Sequence, residues 1–316
     1  MASKSSRRTK NISGVGSQPS GATLTSKSGE AKAKSDQKML AAGLYVVATP
    51  IGNLGDMSAR AIETLKAAAV IACEDTRITG ILLQRFGITT PMTPYHDHNA
   101  ARVRPKVLAR LSAGESVALV SDAGTPLLSD PGYKLVRACA EENIPVFSVP
   151  GPSALLAALS VAALPTNRIL FAGFLPVKSA ARRDTIEEFK SLRATLVFYE
   201  TAPRLAAALT DLDHILGARN AAVCRELTKL HEEARRGTLA DLAAHYKEVG
   251  APKGEIVIVV GPSEESAHAP SEEDIDGALI DALSTMSLRD AVDAVAGAFK
   301  QPRRAIYARA IALQKK

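Results

Sequence analysis

From Gly43 to Val260 the chain alternates short β-branched runs with stretches of helical period, and this alternation narrows its possible folds more than any other feature. The runs are Leu44–Ala48, Val70–Cys73, Val117–Ser121, Val146–Val149, Ile169–Ala172, Thr195–Tyr199, Ala222–Cys224 and Ile256–Val260, punctuated by glycine and proline. Between most of them lie stretches such as Ser58–Ala69 and Pro131–Glu142, whose apolar residues recur at helical spacing. Strand–helix alternation of this kind predicts an α/β architecture with mostly parallel strands. At roughly 150 residues per domain, the body divides into two α/β lobes, 43–164 and 165–262, parted at Leu164–Asn167 where Pro165 interrupts the pattern. The segment Ala154–Leu164 is apolar all round and is expected to be a buried helix. A polar linker follows Val260, and residues 272–316 read as a small helix-turn-helix-like appendage. There, Ser287-Leu-Arg-Asp290 has a capping-box pattern and opens one helix, Gln301-Pro302 breaks it, and Ile306–Leu313 starts another.

The formal charge of +6 resides in the first 38 residues, which hold eight Lys and Arg against two acids, while the rest carries 31 of each sign. A neutral body has to bind a polyanion through local patches. Residues 1–38 are rich in Ser, Lys and Gly with few large apolar side chains, so this basic tail is expected to be disordered. It lacks the apolar core of a secretory signal and reads as a bacterial extension, with an organellar transit peptide as the other reading. No apolar run approaches the roughly 18 residues that a membrane span needs. Cys73, Cys139 and Cys224 lie far apart, with no CxxC pair and no Cys/His cluster. That argues against disulfides and structural zinc, and for a reducing, cytoplasmic setting.

In open parallel sheets, ligands bind beyond the carboxyl ends of the strands, where loops expose backbone N–H groups. Three such loops here are dense in glycine and proline: Ala48–Asp56, Ser121–Gly132 and Val149–Ser153. The first is neither a Walker loop nor a GxGxxG fingerprint, which disfavours a phosphotransferase, and Asp56 reads as the cap of the following helix. In the second, Gly124 lets the backbone approach a flat ligand, and Asp122 and Thr125 supply polar groups to orient it. Ser153 is expected at a helix N-cap. Glu74-Asp-Thr-Arg77 reads either as a buried carboxylate pair with its own arginine, or as a surface ion pair with a helix cap. Tyr95-His-Asp-His-Asn99 offers a base, a metal ligand or a ribose contact, but no carboxylate–histidine cluster elsewhere completes a metal site, and no metal is expected.

Taken together, these motifs resemble the tetrapyrrole methylase superfamily, the class III S-adenosyl-L-methionine-dependent methyltransferases built of two α/β lobes. The resemblance is carried by Leu44–Asp56, Cys73-Glu-Asp-Thr-Arg77, His96-Asp-His-Asn99, Leu119–Pro126, Asp130-Pro-Gly132 and Pro150-Gly-Pro152, and further on by Gly173-Phe-Leu-Pro176, Phe198-Tyr-Glu200, Arg225–Lys229 and Gly254-Glu255. It implies that the cofactor lies between the lobes, held largely by backbone. Pro50 would lie on the first loop, Asp122, Ala123, Gly124 and Thr125 would form the floor, and Ser153 and Ala154 would line the sheet edge. Tyr199, Leu227, Gly254, Glu255 and Ile256 would close the cleft from the second lobe. Superfamily members that act on tetrapyrroles carry Gly-Asp-Pro where this chain has Gly124-Thr-Pro126. That departure implies the branch acting on 16S ribosomal RNA, whose members are described as cytidine 2′-O-methyltransferases, and the superfamily commonly forms homodimers.

On this reading a ribose 2′-oxygen attacks an activated methyl group, and its proton goes to Asp75, Glu74 or His96, in that order of preference. Arg77, Lys178, Arg182 and Arg183, together with Arg303 and Arg304 of the appendage, would meet RNA phosphates. A methylase of small tetrapyrroles and a non-enzymatic nucleic-acid-binding protein are the rival readings.

Overall fold

The computed structural model describes residues 40–263, 272–299 and 301–314. The basic tail and the central part of the polar linker lie outside the described residues. The chain runs β1 (Gly43–Val47), α1 (Ala59–Ala67), β2 (Val70–Cys73), α2 (Thr76–Arg85), β3 (Met92–Pro94), α3 (Ala100–Ser112), β4 (Ser116–Val120), α4 (Tyr133–Glu141), β5 (Val146–Val149) and α5 (Ala154–Ala162). These strands form one sheet in the order β3-β2-β4-β1-β5, every neighbouring pair parallel. Alternate side chains build a core on each face, Tyr45 and Val47 on one side and Leu44 on the other. Burial on both faces explains why β4 reads as an unbroken apolar run. The cap of α1 is Ser58, whose Oγ accepts from Ala61 N at 3.1 Å. Asp56, expected in that role, instead lies in a 3-10 turn at Leu54–Asp56, two residues too early to reach the helix's free N–H groups.

A second run follows: β6 (Ile169–Phe174), α6 (Ser179–Glu187), β7 (Thr195–Thr201), α7 (Leu205–Leu216), β8 (Asn220–Arg225), β9 (Glu233–Thr238), α8 (Leu239–Val249) and β10 (Glu255–Val260). Its sheet has the order β6-β7-β10-β8-β9, and only β6–β7 is parallel. The expectation of mostly parallel strands therefore holds for the first sheet alone. The short connection from β8 to β9 permits an antiparallel return without a crossover helix, and α8 then delivers β10 between β7 and β8. Helices α6, α7 and α8 cover one face of this sheet. The other face takes α5, which packs Ala158, Leu159 and Ala162 on Val197, Ala222, Cys224, Val257 and Val259. That helix is not buried all round, because Leu156 points away from the sheet and is 61% exposed.

The C-terminal residues form three helices rather than two: α9 (Glu272–Thr285), α10 (Leu288–Phe299) and α11 (Arg303–Gln314). They share a core of Ile275, Leu279, Val292, Val295, Ile306 and Ala310. Ser287 caps α10 as expected, its Oγ accepting from Asp290 N at 3.3 Å, but that hydroxyl itself donates to the Asp290 carboxylate at 2.6 Å.

One expected RNA contact becomes structural. Arg182 is 5% exposed, and its Nη2 lies 2.6 Å from Asp211 Oδ2 on α7. One turn later Ile186 is also buried, so the inward face of α6 carries Arg182 into the core while Arg183, about 100° round the helix, stays half exposed on Asp211 Oδ1. Burial alone would raise the Asp211 pKa, but hydrogen bonds from Arg183 and Arg182 bring it below the usual carboxylate range. A depressed folded pKa stabilises the protein above the unfolded value, and that stability is lost as pH falls through the folded one. Asp211→Ala, which strands a buried guanidinium, is expected to cost about 3–5 kcal/mol in urea denaturation at neutral pH, and the deficit should shrink in acid. Arg183→Ala should cost under about 1 kcal/mol.

Candidate functional site

In the first sheet, the connections from β1 and β4 leave in opposite directions, so the switch point lies between these neighbours, at their carboxyl ends. There Thr49 and Gly124 exchange both backbone hydrogen bonds, at 2.9 and 3.0 Å. The exchange needs Gly124 at φ +79, and a Cβ on it would lie 3.2 Å from Ile51 Cγ2. Thr125 Oγ1 donates to Pro152 O at 3.0 Å, tying the second loop to the third. Leu127 and Ser129, further along the second loop, also hold positive φ angles of 77° and 68°. Non-glycine residues in that region cost on the order of 1–3 kcal/mol each and persist only where the surroundings dictate them.

These loops form one wall of a cavity of about 510 Å³, and the second sheet forms the other. Its lining brings together Ala123, Gly124, Thr125, Ser153 and Ala154 from the first wall. Tyr199, Leu227, Gly254, Glu255 and Ile256 come from the second. Alternation sorts the strand residues by face. Tyr199 and Val257 lie on the α5 side with the cavity, whereas Ile256 belongs to the core beneath α7 and α8 and Glu200 is held by Arg204, so these two line the cavity through main chain. Pro50 and Asp122 face instead a neighbouring groove against α2, shared with Ile78 and Ile81. Ser153 stands at the N-cap of α5, but its buried hydroxyl has no hydrogen-bond partner among the described residues.

The loops at this edge also gather carboxylates. Asp75 caps α2 and is gripped by Arg77, whose hydrogen bonds pull its pKa down to about 2. Glu74 moves the other way, raised by burial and then by the charges of Asp122, Asp130, Asp97 and Asp75. Asp130 lines the cavity and is likewise raised, chiefly by burial, with Asp122 adding repulsion against a hydrogen bond from Ser121. His96 is held in the turn before α3, where Asn99 Nδ2 lies 3.0 Å from its Nε2. Arg77 and Lys178 are exposed, as are Arg303, ion-paired with Asp293, and Arg304. Sequence reasoning left out Ile51, Asp130, Phe174, Cys224 and Val257 from the lining. Asp130 had a signal in its Asp-Pro-Gly motif; the inward-facing β residues could be found only from the register.

The family profile Tetrapyrrole (Corrin/Porphyrin) Methylases matches residues 43–243. The chain belongs to the tetrapyrrole methylase family. A second profile, RsmI C-terminal HTH domain, matches residues 269–314 of this methylase. Among its relatives are proteins named Ribosomal RNA small subunit methyltransferase I. That of Mesorhizobium japonicum is 50% identical over 86% of this chain and 92% of its own. That of Synechocystis sp. is 46% identical over 86% and 98%, and that of Escherichia coli O157:H7 is 46% identical over 78% and 85%. The fold is also that of diphthine synthase (TM-score 0.53, 14% identity, 69% of this chain and 89% of the other) and of the methyltransferase CobJ (TM-score 0.52, 16% identity, 70% and 94%).

The methyl donor of this methylase is S-adenosyl-L-methionine, and the cavity fits it. A volume of about 510 Å³ is within the range of ligand pockets. Gly124 gives close access to main chain, and the buried Ser153 hydroxyl is unpaired among the described residues. Gly124→Val puts a β-branched side chain where φ is +79 and Ile51 is already in contact, so cofactor binding measured by calorimetry should fall below detection.

Proposed function

We propose that this methylase transfers a methyl group to the 2′-oxygen of a cytidine ribose in 16S ribosomal RNA, in the cytoplasm. The observation that carries the reading is a cofactor-sized cavity at the switch point of a chain whose relatives, at 46–50% identity across most of its length, are named as small-subunit ribosomal RNA methyltransferases. The Gly124-Thr-Pro126 sequence, without the aspartate of tetrapyrrole-acting members, favours RNA over a porphyrin-type substrate.

When bound, the cofactor supplies a methyl group already activated on a sulfonium, so the protein's part is alignment and removal of one proton. The backbone of Ala123–Thr125 and of Gly254–Ile256 would hold the cofactor from opposite walls, with Tyr199 and Leu227 adding side chains on the second. A ribose hydroxyl is a weak nucleophile until its proton is accepted. Asp75, committed to Arg77 and to the cap of α2, is a poor acceptor. In His96 the Nε2 lone pair is taken by Asn99 Nδ2, an amide oriented by accepting from His96 N and donating to Pro94 O. Glu74 and Asp130 fit better, since burial raises both toward the basicity that proton transfer rewards, and Asp130 is the one on the cavity wall. Lys178 and Arg304 are exposed for phosphates, and Arg77, Arg183 and Arg303 would meet them while shared with Asp75, Asp211 and Asp293. Val146 and Phe147 on the edge strand β5, with Leu156 on α5, offer apolar surface for a second copy, in keeping with a homodimer.

Incubation with labelled cofactor and small ribosomal subunits, followed by nuclease digestion, should place the label on one cytidine ribose; label on a base would overturn this chemistry. Asp130→Asn should lower kcat by about 10²–10⁴ with cofactor affinity within a few-fold of wild type. Because the acceptor must be ionised, wild-type activity should fall as pH drops through its raised pKa, and the variant should lose that limb.

A further inference from the structure

The edge strand β6 contains an irregularity that turns one side chain round. Phe171 pairs with Val197, yet Gly173 pairs with Phe198 and Phe174 with Tyr199, so Ala172 is an extra residue in the ladder. Gly173 takes φ +64, the left-handed conformation that such bulges assign to glycine. Unbroken alternation would put Phe174 with Leu170 and Ala172, which pack beneath the helices. The bulge moves it instead to the side of Phe171 and Tyr199, with its ring centroid 5.6 Å from that of Tyr199. Phe174 thereby lines the cavity while remaining 52% exposed.

The backbone that follows is pinned. Arg204 donates to the carbonyls of Leu175 and Pro176, and Arg182 to that of Val177. Both arginines are anchored by buried acids, Arg204 by Glu200 and Arg182 by Asp211. Three successive carbonyls are thus held by two guanidiniums, and a phenyl ring is kept partly in water by a rigid support. An aromatic face held in this way beside a cavity is suited to stacking by a flat group. Exposed Lys178 and half-exposed Arg183 follow it on the same segment, which matches an anionic partner with flat groups.

We propose that Phe174, re-aimed by the bulge and backed by Tyr199, is a platform on which an unpaired nucleobase of the RNA substrate stacks, while Lys178 and Arg183 meet the adjoining phosphates. The inference rests on the RNA reading above and adds the surface that holds the strand at the cavity. Every base offers a π-face, so such a platform positions RNA without reading its sequence, and it requires a single-stranded target.

The test compares wild type with Phe174→Ala, Phe174→Leu and Phe174→Trp, using small ribosomal subunits and, separately, calorimetry with S-adenosyl-L-methionine. Phe174→Ala and Phe174→Leu should each raise the RNA KM by about tenfold or more, with cofactor affinity unchanged, and Phe174→Trp should restore the KM. Phe174→Leu keeps apolar bulk, so its defect would report the lost π-face rather than misfolding. An unchanged RNA KM in the leucine variant would overturn the platform. So would a matching loss of cofactor affinity, which would place the ring in the cofactor site, or a change in oligomeric state, which would make it a contact between copies. A wild-type protein that leaves RNA unmethylated would instead refute the RNA reading itself.

Discussion

The paired hydrogen bonds between Thr49 and Gly124 are the constraint on which the site depends. They join the loops after two neighbouring strands whose connections diverge, and so fix the width of the crevice that opens at that point. Glycine accepts φ +79 there without strain, and a Cβ in its place would press on Ile51 Cγ2 at 3.2 Å. The rest of the first wall hangs from this pair. Thr125 reaches across to Pro152, which sets the entry to α5, and α5 carries the chain onto the second sheet.

The second wall is organised differently. Its sheet is mixed, and the residues that matter are sorted by strand parity rather than by loop chemistry. Tyr199 faces the cleft while Glu200, its neighbour in sequence, turns to Arg204 in the opposite layer. The bulge in β6 then reverses parity once more for Phe174. A rigid wall with strained, glycine-bent loops facing it is suited to alignment, which is most of what transfer from an already activated methyl donor requires.

The parts of this architecture that were legible in the sequence are those with a local cause. Strands buried on both faces read as continuous β-branched runs, and β1, β2, β4 and β10 did so. The glycine and proline loops advertised the crevice because turns this tight leave few other residues able to form them. Strand β9 carries no periodic apolar signal, because it is an edge strand rich in Glu, Arg and Gly whose Glu233 pairs with Arg225 on β8 and with Arg235 two residues on. β3 is three residues long and ends on proline. Arg182 and Arg183 are adjacent and identical in sequence; which one is buried depends on the angle at which α6 meets α7 and Asp211, a tertiary fact. Of the two readings that Glu74-Asp-Thr-Arg77 allowed, the ion pair with a helix cap is the one Asp75 adopts, and a motif alone could not choose because both place a carboxylate at the start of a helix.

A crystal of the protein grown with S-adenosylhomocysteine tests the central claim most directly. The nucleoside should lie between the two sheets, against the main chain of Gly124 and Thr125 on one side and the strand carrying Val257 on the other. Density for it in the groove beside α2, or anywhere outside that cleft, would contradict the account.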